Sequence, residues 1–273
     1  PVLDGVELGN ANNNSGYIQI GEIQGDHLST IGTIVHEMGH DLGMPDLYDI
    51  SSADGAWDGA GAWSLMASGS WNTVPGKPLG SSPALPIALM KYYQGWLEPR
   101  QIAGSVSELS LNPIQSSADA VIIGDNPGGM DWRFNTQPGN GSYLLIANRQ
   151  RVGYDAGLPG AGMMIWAIDE TVTPSNMANS NPNKPLARLI EADQKYHLYD
   201  VTDFNIGDAG DPFTSGSFSP SQYNAVMASA DLASTPADSF ALHNISNEGL
   251  VMTANYINTA AMTLRTFLPA ITR

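Results

Sequence analysis

The sequence has no cysteine among its 273 residues. That excludes disulfide scaffolds, Cys-ligated zinc, iron–sulfur clusters and thiol nucleophiles. Cations are scarce too. Eleven Lys and Arg face 27 Asp and Glu, for a formal net charge of −16. A field of that sign repels phosphate backbones and anionic lipid surfaces, so neither nucleic acid nor a membrane surface is an expected partner. Charged residues of both signs make up only 14% of the chain, against roughly 25% in an average domain. The acidity therefore reflects missing Lys and Arg, and Asn, Ser, Thr and Gly must cover the surface. Such a surface fits an extracellular protein, secreted or at the cell surface, better than a cytosolic one. No apolar run reaches the ~18 residues of a membrane span, and no signal-peptide pattern is visible.

The length suits one large domain or two small ones, with ample material for a core. Glycine (29) and proline (18) are abundant, so many turns are expected. Residues 1–17 are polar and read as loop, and Ile18–Ile23 reads as a short strand. From Asp26 the apolar period becomes 3.6: Leu28, Ile31, Ile34, Val35, Met38 and Leu42 share one helical stripe. Asp26 or Ser29 can cap this helix, and Gly43 followed by Pro45 ends it. Residues 49–80 form a long Gly-, Ser- and Asp-rich segment of the kind that is usually functional or ligand-ordered. Ser82-Pro83 signals a second helix with Leu85, Leu89, Tyr92 and Trp96 on its inner stripe. Beyond residue 100 the chain turns to short apolar runs: Val106–Leu111, Ala120–Gly124, Tyr143–Arg149, Met163–Asp169, Leu186–Ala192 and Val251–Ile257. The expected class is α+β. A zinc-binding part spans 1–100, a strand-rich continuation 101–257 and a tail 258–273.

The segment His36-Glu37-Met38-Gly39-His40-Asp41-Leu42-Gly43-Met44-Pro45-Asp46 carries the chemistry. Two His four residues apart on a helix stand one turn apart on one face, where both can hold a single metal ion through neutral nitrogens. Glu37 is rotated about 100° from His36, so it can reach a water on the metal without ligating it. The helix face is exhausted after His40. A catalytic zinc needs a third ligand, and the positive φ that Gly43 permits can return Asp46 to it. His27, His197 and His243 are the other histidines. The bland alternative, two His packed beside a buried Glu, carries the cost of an unpaired buried carboxylate in a cation-poor chain.

HEMGHDLGMPDLYD, residues 36–49, resembles the immune inhibitor A family of secreted bacterial metallopeptidases, which is similar to the metzincins. Trp63–Trp71 (WSLMASGSW) resembles the family's turn around a methionine beneath the metal. Tyr143–Gln150, Gly153–Gly160, Gly162–Glu170, Leu189–Asp193 and Gly207–Phe213 resemble its downstream segments. The resemblance implies a metzincin-like zinc peptidase core with active-site helix and methionine turn. It implies zinc ligands His36, His40 and Asp46, general base Glu37 and floor residue Met66. The implied reaction is hydrolysis of protein or peptide substrates outside the cell by attack of metal-bound water. Ala147 and Ala167 stand where the family usually carries Glu and His. Ser68 stands where some metzincins place an oxyanion-stabilising Tyr, which leaves Tyr48 as the nearest candidate for an oxyanion or substrate contact. Only 35 residues precede His36, where metzincin-like domains place most of an N-terminal sheet. That sheet reads as truncated, and a front segment of the same polypeptide is an expected partner.

Asp41, Asp46, Asp49, Asp54 and Asp58 form one acidic group, and Asp193, Asp200, Asp203, Asp208 and Asp211 another. Hard oxygen donors on irregular loops suit calcium. The resemblance agrees, and Asp193, Asp208 and Asp211 are the candidate ligands. The competing reading is a catalytically impaired or non-catalytic binding or adhesion module of a larger extracellular protein. A structural zinc domain is weaker, because structural sites rarely keep a general base beside an open position.

Overall fold

The computed structural model describes residues 2–3, 6–7, 18–51, 57–126, 129, 139–172, 178–200, 202, 205–219 and 240–258. The class is α+β, with few helices and many strands. Four two-residue strands open the chain: β1 (Val2–Leu3) pairs with β2 (Val6–Glu7), and β3 (Ile23–Gln24) with β4 (His27–Leu28). Helix α1 (Ile31–Asp41) follows, then short 3₁₀ turns at Gly61–Trp63 and Ser68–Trp71, then α2 (Ala88–Tyr93). The remaining strands are β5 (Arg100–Gln101), β6 (Val106–Leu111), β7 (Val121–Asp125), β8 (Ser142–Arg149), β9 (Gly162–Asp169), β10 (Ala187–Leu189), β11 (Gly216–Phe218), β12 (Phe240–Ile245) and β13 (Met252–Asn258).

These strands build two sheets. One has the order β10-β9-β8-β7-β5, antiparallel except for the parallel β7/β5 edge; the other is the antiparallel β11-β12-β13-β6. Side chains alternate across a strand, and both faces of β8 and β9 are covered. Tyr143, Leu145 and Ala147 of β8 and Met164, Trp166 and Ile168 of β9 face a core shared with Met44, Met66 and Leu89. Leu144, Ile146, Met163, Ile165 and Ala167 face the second sheet through Phe218, Leu242 and Met252. The result is three layers: the loops and helices of the first hundred residues, the five-stranded sheet and the four-stranded sheet. Double burial also explains why β8 and β9 read as near-continuous apolar runs.

Several sequence expectations shift. The stretch Ile18–Ile23 is not a strand; only Ile23 enters one, in the β3–β4 hairpin. Its turn is Gly25-Asp26, with Gly25 at φ 64°, which takes Asp26 and Leu28 out of the helix. Helix α1 therefore starts later, after Thr30. The second helix does not open at Ser82-Pro83 either. Pro86 disfavours helical backbone at Leu85, and the segment is held extended: Ser82 Oγ donates to Tyr154 O at 2.6 Å, and Leu85 N to Asp155 Oδ1 at 2.8 Å. Helix starts only at Ala88. Strands β5, β11 and β12 went unread, and the tail beyond Asn258 lies outside the described residues.

Candidate metal centre

Helix α1 is seated by glycine. Gly32 and Gly39, two turns apart, are its buried residues. A Cβ on Gly32 would stand 1.9 Å from Ser70 O, and one on Gly39 2.5 Å from Met66 Sδ. The backbone thus lies directly on the turn around Met66, which is fully buried. The apolar stripe is not what docks: Ile31, Met38 and Leu42 are 38–49% exposed. They line, with Leu65, Leu85 and Trp96, an apolar groove of about 360 Å³ on the flank of the helix.

Close seating fixes the two imidazoles. His36 Nδ1 lies 2.8 Å from Leu65 O, and His40 Nδ1 lies 2.9 Å from Met44 O. A carbonyl only accepts, so each Nδ1 carries the hydrogen and each neutral ring presents an Nε2 lone pair. The chain reverses at Gly43 (φ 84°), where Met44 N donates to Gly39 O at 2.9 Å. Leu47 N then donates to Met66 O at 2.7 Å, tying the returning strand to the methionine turn. Between those anchors stands Asp46. Its Oδ1 is 3.2 Å from His36 Nε2 and 3.3 Å from His40 Nε2.

These three residues meet the donor requirements of a metal site. Their ligand atoms lie within 4.8 Å of one another. Asp46 Oδ1 is buried without a hydrogen-bond partner. Ligands at 2.0–2.1 Å around a tetrahedral zinc stand roughly 3.3–3.4 Å apart, close to both observed separations. Burial alone would raise the Asp46 pKa, but the facing imidazoles outweigh it and hold the carboxyl at about 2. His40 is raised above its ordinary value by the bond to Asp46. His36 is also raised, the Asp46 bond overcoming burial.

Glu37, the next residue on α1, lines an open cleft of about 400 Å³ together with His36, Tyr48, Asp49, Asp58 and Trp71. Tyr48 is pushed up to about 12, by burial first and by the Asp46 carboxylate second, so the phenol keeps its proton. Ser68 donates its hydroxyl to Asp58 Oδ1. Of the first acidic group, Asp46, Asp49 and Asp58 reach the metal centre or its cleft, Asp41 is exposed, and Asp54 lies outside the described residues. None of His27, His197 and His243 joins the ligand group.

One supporting network left no motif in the sequence. Arg149, at the end of β8, makes a two-pronged ion pair with Asp155: Nε to Oδ2 at 2.9 Å and Nη2 to Oδ1 at 2.7 Å. The same guanidinium donates to Trp63 O at 2.9 Å and Leu85 O at 2.8 Å. It thereby clamps the methionine turn to the central sheet. Its only signal was a cation inside an otherwise apolar strand. Ala147 and Ala167 are buried on opposite faces of that sheet, so side chains there cannot have been partners, and neither lines the cleft.

The second acidic group converges differently from expectation. The three residues whose ligand atoms approach within 4.8 Å are Glu191, Asp193 and Asp211. Glu191 was not singled out in the sequence. Asp208 sits at the rim, 3.8 Å from Lys195 Nζ, while Asp200 turns back to Thr202 and Asp203 is outside the described residues. Burial, then the neighbouring carboxylates, push Glu191 up to about 8; burial likewise takes Asp211 to about 6.

Part of the chain is similar to known proteins. Residues 16–97 match the sequence model of the immune inhibitor A peptidase M6, catalytic domain. Over 93 residues the chain is 35% identical to a protein named Pre-pro-metalloprotease PrtV from Vibrio cholerae serotype O1, in strain M66-2 and equally in strain ATCC 39315 / El Tor Inaba N16961. The aligned stretch is 34% of this chain and 10% of the length of those relatives. The matched residues 16–97, which contain His36, Glu37, His40, Asp46 and Met66, are thus similar to the catalytic domain of the immune inhibitor A family.

Proposed function

We propose that the protein is an extracellular zinc endopeptidase of metzincin-like construction, cutting protein or peptide substrates. The carrying observation is the convergence of His36 Nε2, His40 Nε2 and the orphaned Asp46 Oδ1, with both Nδ1 atoms committed to carbonyls. Zinc held by these residues would polarise the scissile carbonyl and acidify the attacking water. Glu37, adjacent to His36 and open to the cleft, is placed to serve as the general base, and would take a proton from the attacking water and return it to the leaving amine. Tyr48, kept neutral, offers its O–H to the developing oxyanion or to the substrate backbone. Met66 is the apolar floor, packed against Gly39 between the two histidines. The relatives' printed name supports proteolysis, and its "pre-pro" supports export. The first hundred residues form the catalytic part and 101–257 its structural continuation.

The test is casein hydrolysis with metal analysis on the parent and Glu37→Ala. Both should retain one zinc, and hydrolysis should fall by about 10²–10⁴-fold in the variant. Zinc in both proteins with no hydrolysis in either sinks the enzyme reading in favour of a binding module.

A further inference from the structure

We propose that the cleft beside Glu37 selects substrates with a cationic side chain, Lys or Arg, next to the scissile bond, and that Asp49 and Asp58 select it; this rests on the peptidase reading above and names its substrate class. Asp49, Asp58, Tyr48, Trp57 and Trp71 line the cleft that opens beside His36 and Glu37. Among the described residues that line it there is no Lys or Arg. Asp49 is 6% exposed. Its Oδ1 accepts from Ser51 N and Ser51 Oγ, both at 2.8 Å. Its Oδ2 is buried without a hydrogen-bond partner. An acceptor left in that state carries a desolvation cost that a cation entering from outside removes. Asp58 is partly buried, and Ser68 Oγ donates to one of its oxygens. Neither Asp49 nor Asp58 forms an ion pair among the described residues.

The walls fit a long cationic side chain better than a bare metal ion. A metal ion gathers several oxygen or nitrogen donors around itself, and among the described residues Asp49 and Asp58 belong to no converging group of three. Aromatic rings suit Lys and Arg, whose methylene stems pack on apolar surface while the charged head reaches a carboxylate. Trp57 is buried and braced by Tyr199, with ring centroids 5.1 Å apart. Trp71 is exposed, a ring that a substrate can cover. Charge at the reacting centre does not cancel the attraction. Zinc on His36, His40 and Asp46 would bring two positive charges, which Asp46 and Glu37 balance. Asp49 and Asp58 remain as excess negative charge between aromatic walls, where it attracts cationic side chains and repels acidic ones.

A blocked hexapeptide, Ala-Ala-Lys-Lys-Ala-Ala, and its counterparts with norleucine or glutamate in place of both lysines test the selection. Binding is measured first, by tryptophan fluorescence, on the full zinc-loaded chain carrying Glu37→Gln, which should hold a peptide without cutting it. The lysine peptide should bind about tenfold or more tighter than the norleucine peptide, and the margin should shrink as salt rises. Asp49→Asn should bring the margin to about twofold or less, and Asp58→Asn should cut it by about threefold. In the parent, kcat/KM should follow the same order, with the glutamate peptide the poorest substrate. Asp58→Lys should reverse the order of the lysine and glutamate peptides. Thermal melting separates lost selection from lost folding in Asp49→Asn, and Asp58→Asn, at a partly exposed position, carries the test if Asp49→Asn does not fold. Equal binding of the lysine and norleucine peptides, or binding of neither, overturns the proposal whether or not the parent hydrolyses anything. A lysine margin undiminished in both Asn variants overturns the assignment to these carboxylates. Lysine-selective binding with no hydrolysis by the parent leaves the selection standing and sinks the peptidase reading instead.

Discussion

The two clusters bring together similar numbers of ligand atoms but opposite electrostatics. At the first, one carboxylate faces two imidazoles; at the second, three carboxylates face one another. Burial acts in the same direction on Asp46, Asp211 and Glu191, towards the neutral acid. Yet Asp46 is held at about 2, while Asp211 rises to about 6 and Glu191 to about 8. Burial sets the sign at Glu191 and Asp211, and the facing imidazoles reverse it at Asp46. In the first cluster the histidines can satisfy Asp46 as donors when protonated. In the second, Lys195 pairs only with Asp193 at the rim, and Glu191 and Asp211 accept from uncharged N–H groups.

Four measurements sharpen or break that contrast. The largest effect belongs to Asp46→Ala, which removes the only anion of the first cluster. Zinc retention should fall by more than about 100-fold; unchanged zinc affinity in a competition titration removes Asp46 from the ligand set. Next is Asp155→Asn, which leaves Arg149 buried and unpaired beneath the methionine turn. Urea unfolding should show a loss of about 3–5 kcal/mol, and a loss under 1 kcal/mol would deny the clamp its role. Its acid sensitivity has a definite sign. The Arg149 guanidinium and its hydrogen-bonding neighbours hold Asp155 below its ordinary range against burial. The clamp is therefore at full strength above about pH 4 and is lost as pH falls below it.

The third measurement reverses that sign at the second cluster. Glu191 and Asp211 keep protons up to about 8 and 6 in the folded state, while unfolded carboxyls release them near pH ~4. The folded state then binds more protons, so stability falls as pH rises through this window, by up to about 1.4 kcal/mol per pH unit for each group. A series of melts across about pH 5–9 checks this, and stability that rises with pH contradicts it. Smallest is Trp63→Phe, which touches both sites without removing a ligand. It removes one of the two donors to the second oxygen of Asp211, leaving Asp208 N at 3.1 Å, and should cost about 1–2 kcal/mol by thermal melting. No loss would show that the indole bond does not couple the turn to the acidic loop.

The first cluster was legible because its parts are local. His36, Glu37 and His40 are fixed relative to one another by the helical repeat, and Gly43 places Asp46 within one reversal of them. Strand-rich character beyond residue 100 was legible for the same reason, since runs such as Val106–Leu111 and Met163–Asp169 carry their period within themselves. The β3–β4 hairpin was misread as strand and helix start because Leu28 happens to fall in phase with the α1 stripe, and the Gly25-Asp26 turn outranked that coincidence. The extended segment before α2 was missed because Asp155, seventy residues away, decides it.

By itself, the sequence determined a helix carrying His36, Glu37 and His40, an acidic and cation-poor composition, and the α+β class. Tertiary structure alone decided three things. Alpha1 docks by Gly32 and Gly39 and leaves its apolar stripe in an open groove. Ala147 and Ala167 point to opposite cores. Glu191, not Asp208, joins Asp193 and Asp211. The reason is the same in each case: periodicity reports which residues of one element share a face, but which faces meet is set by packing between elements distant in the chain.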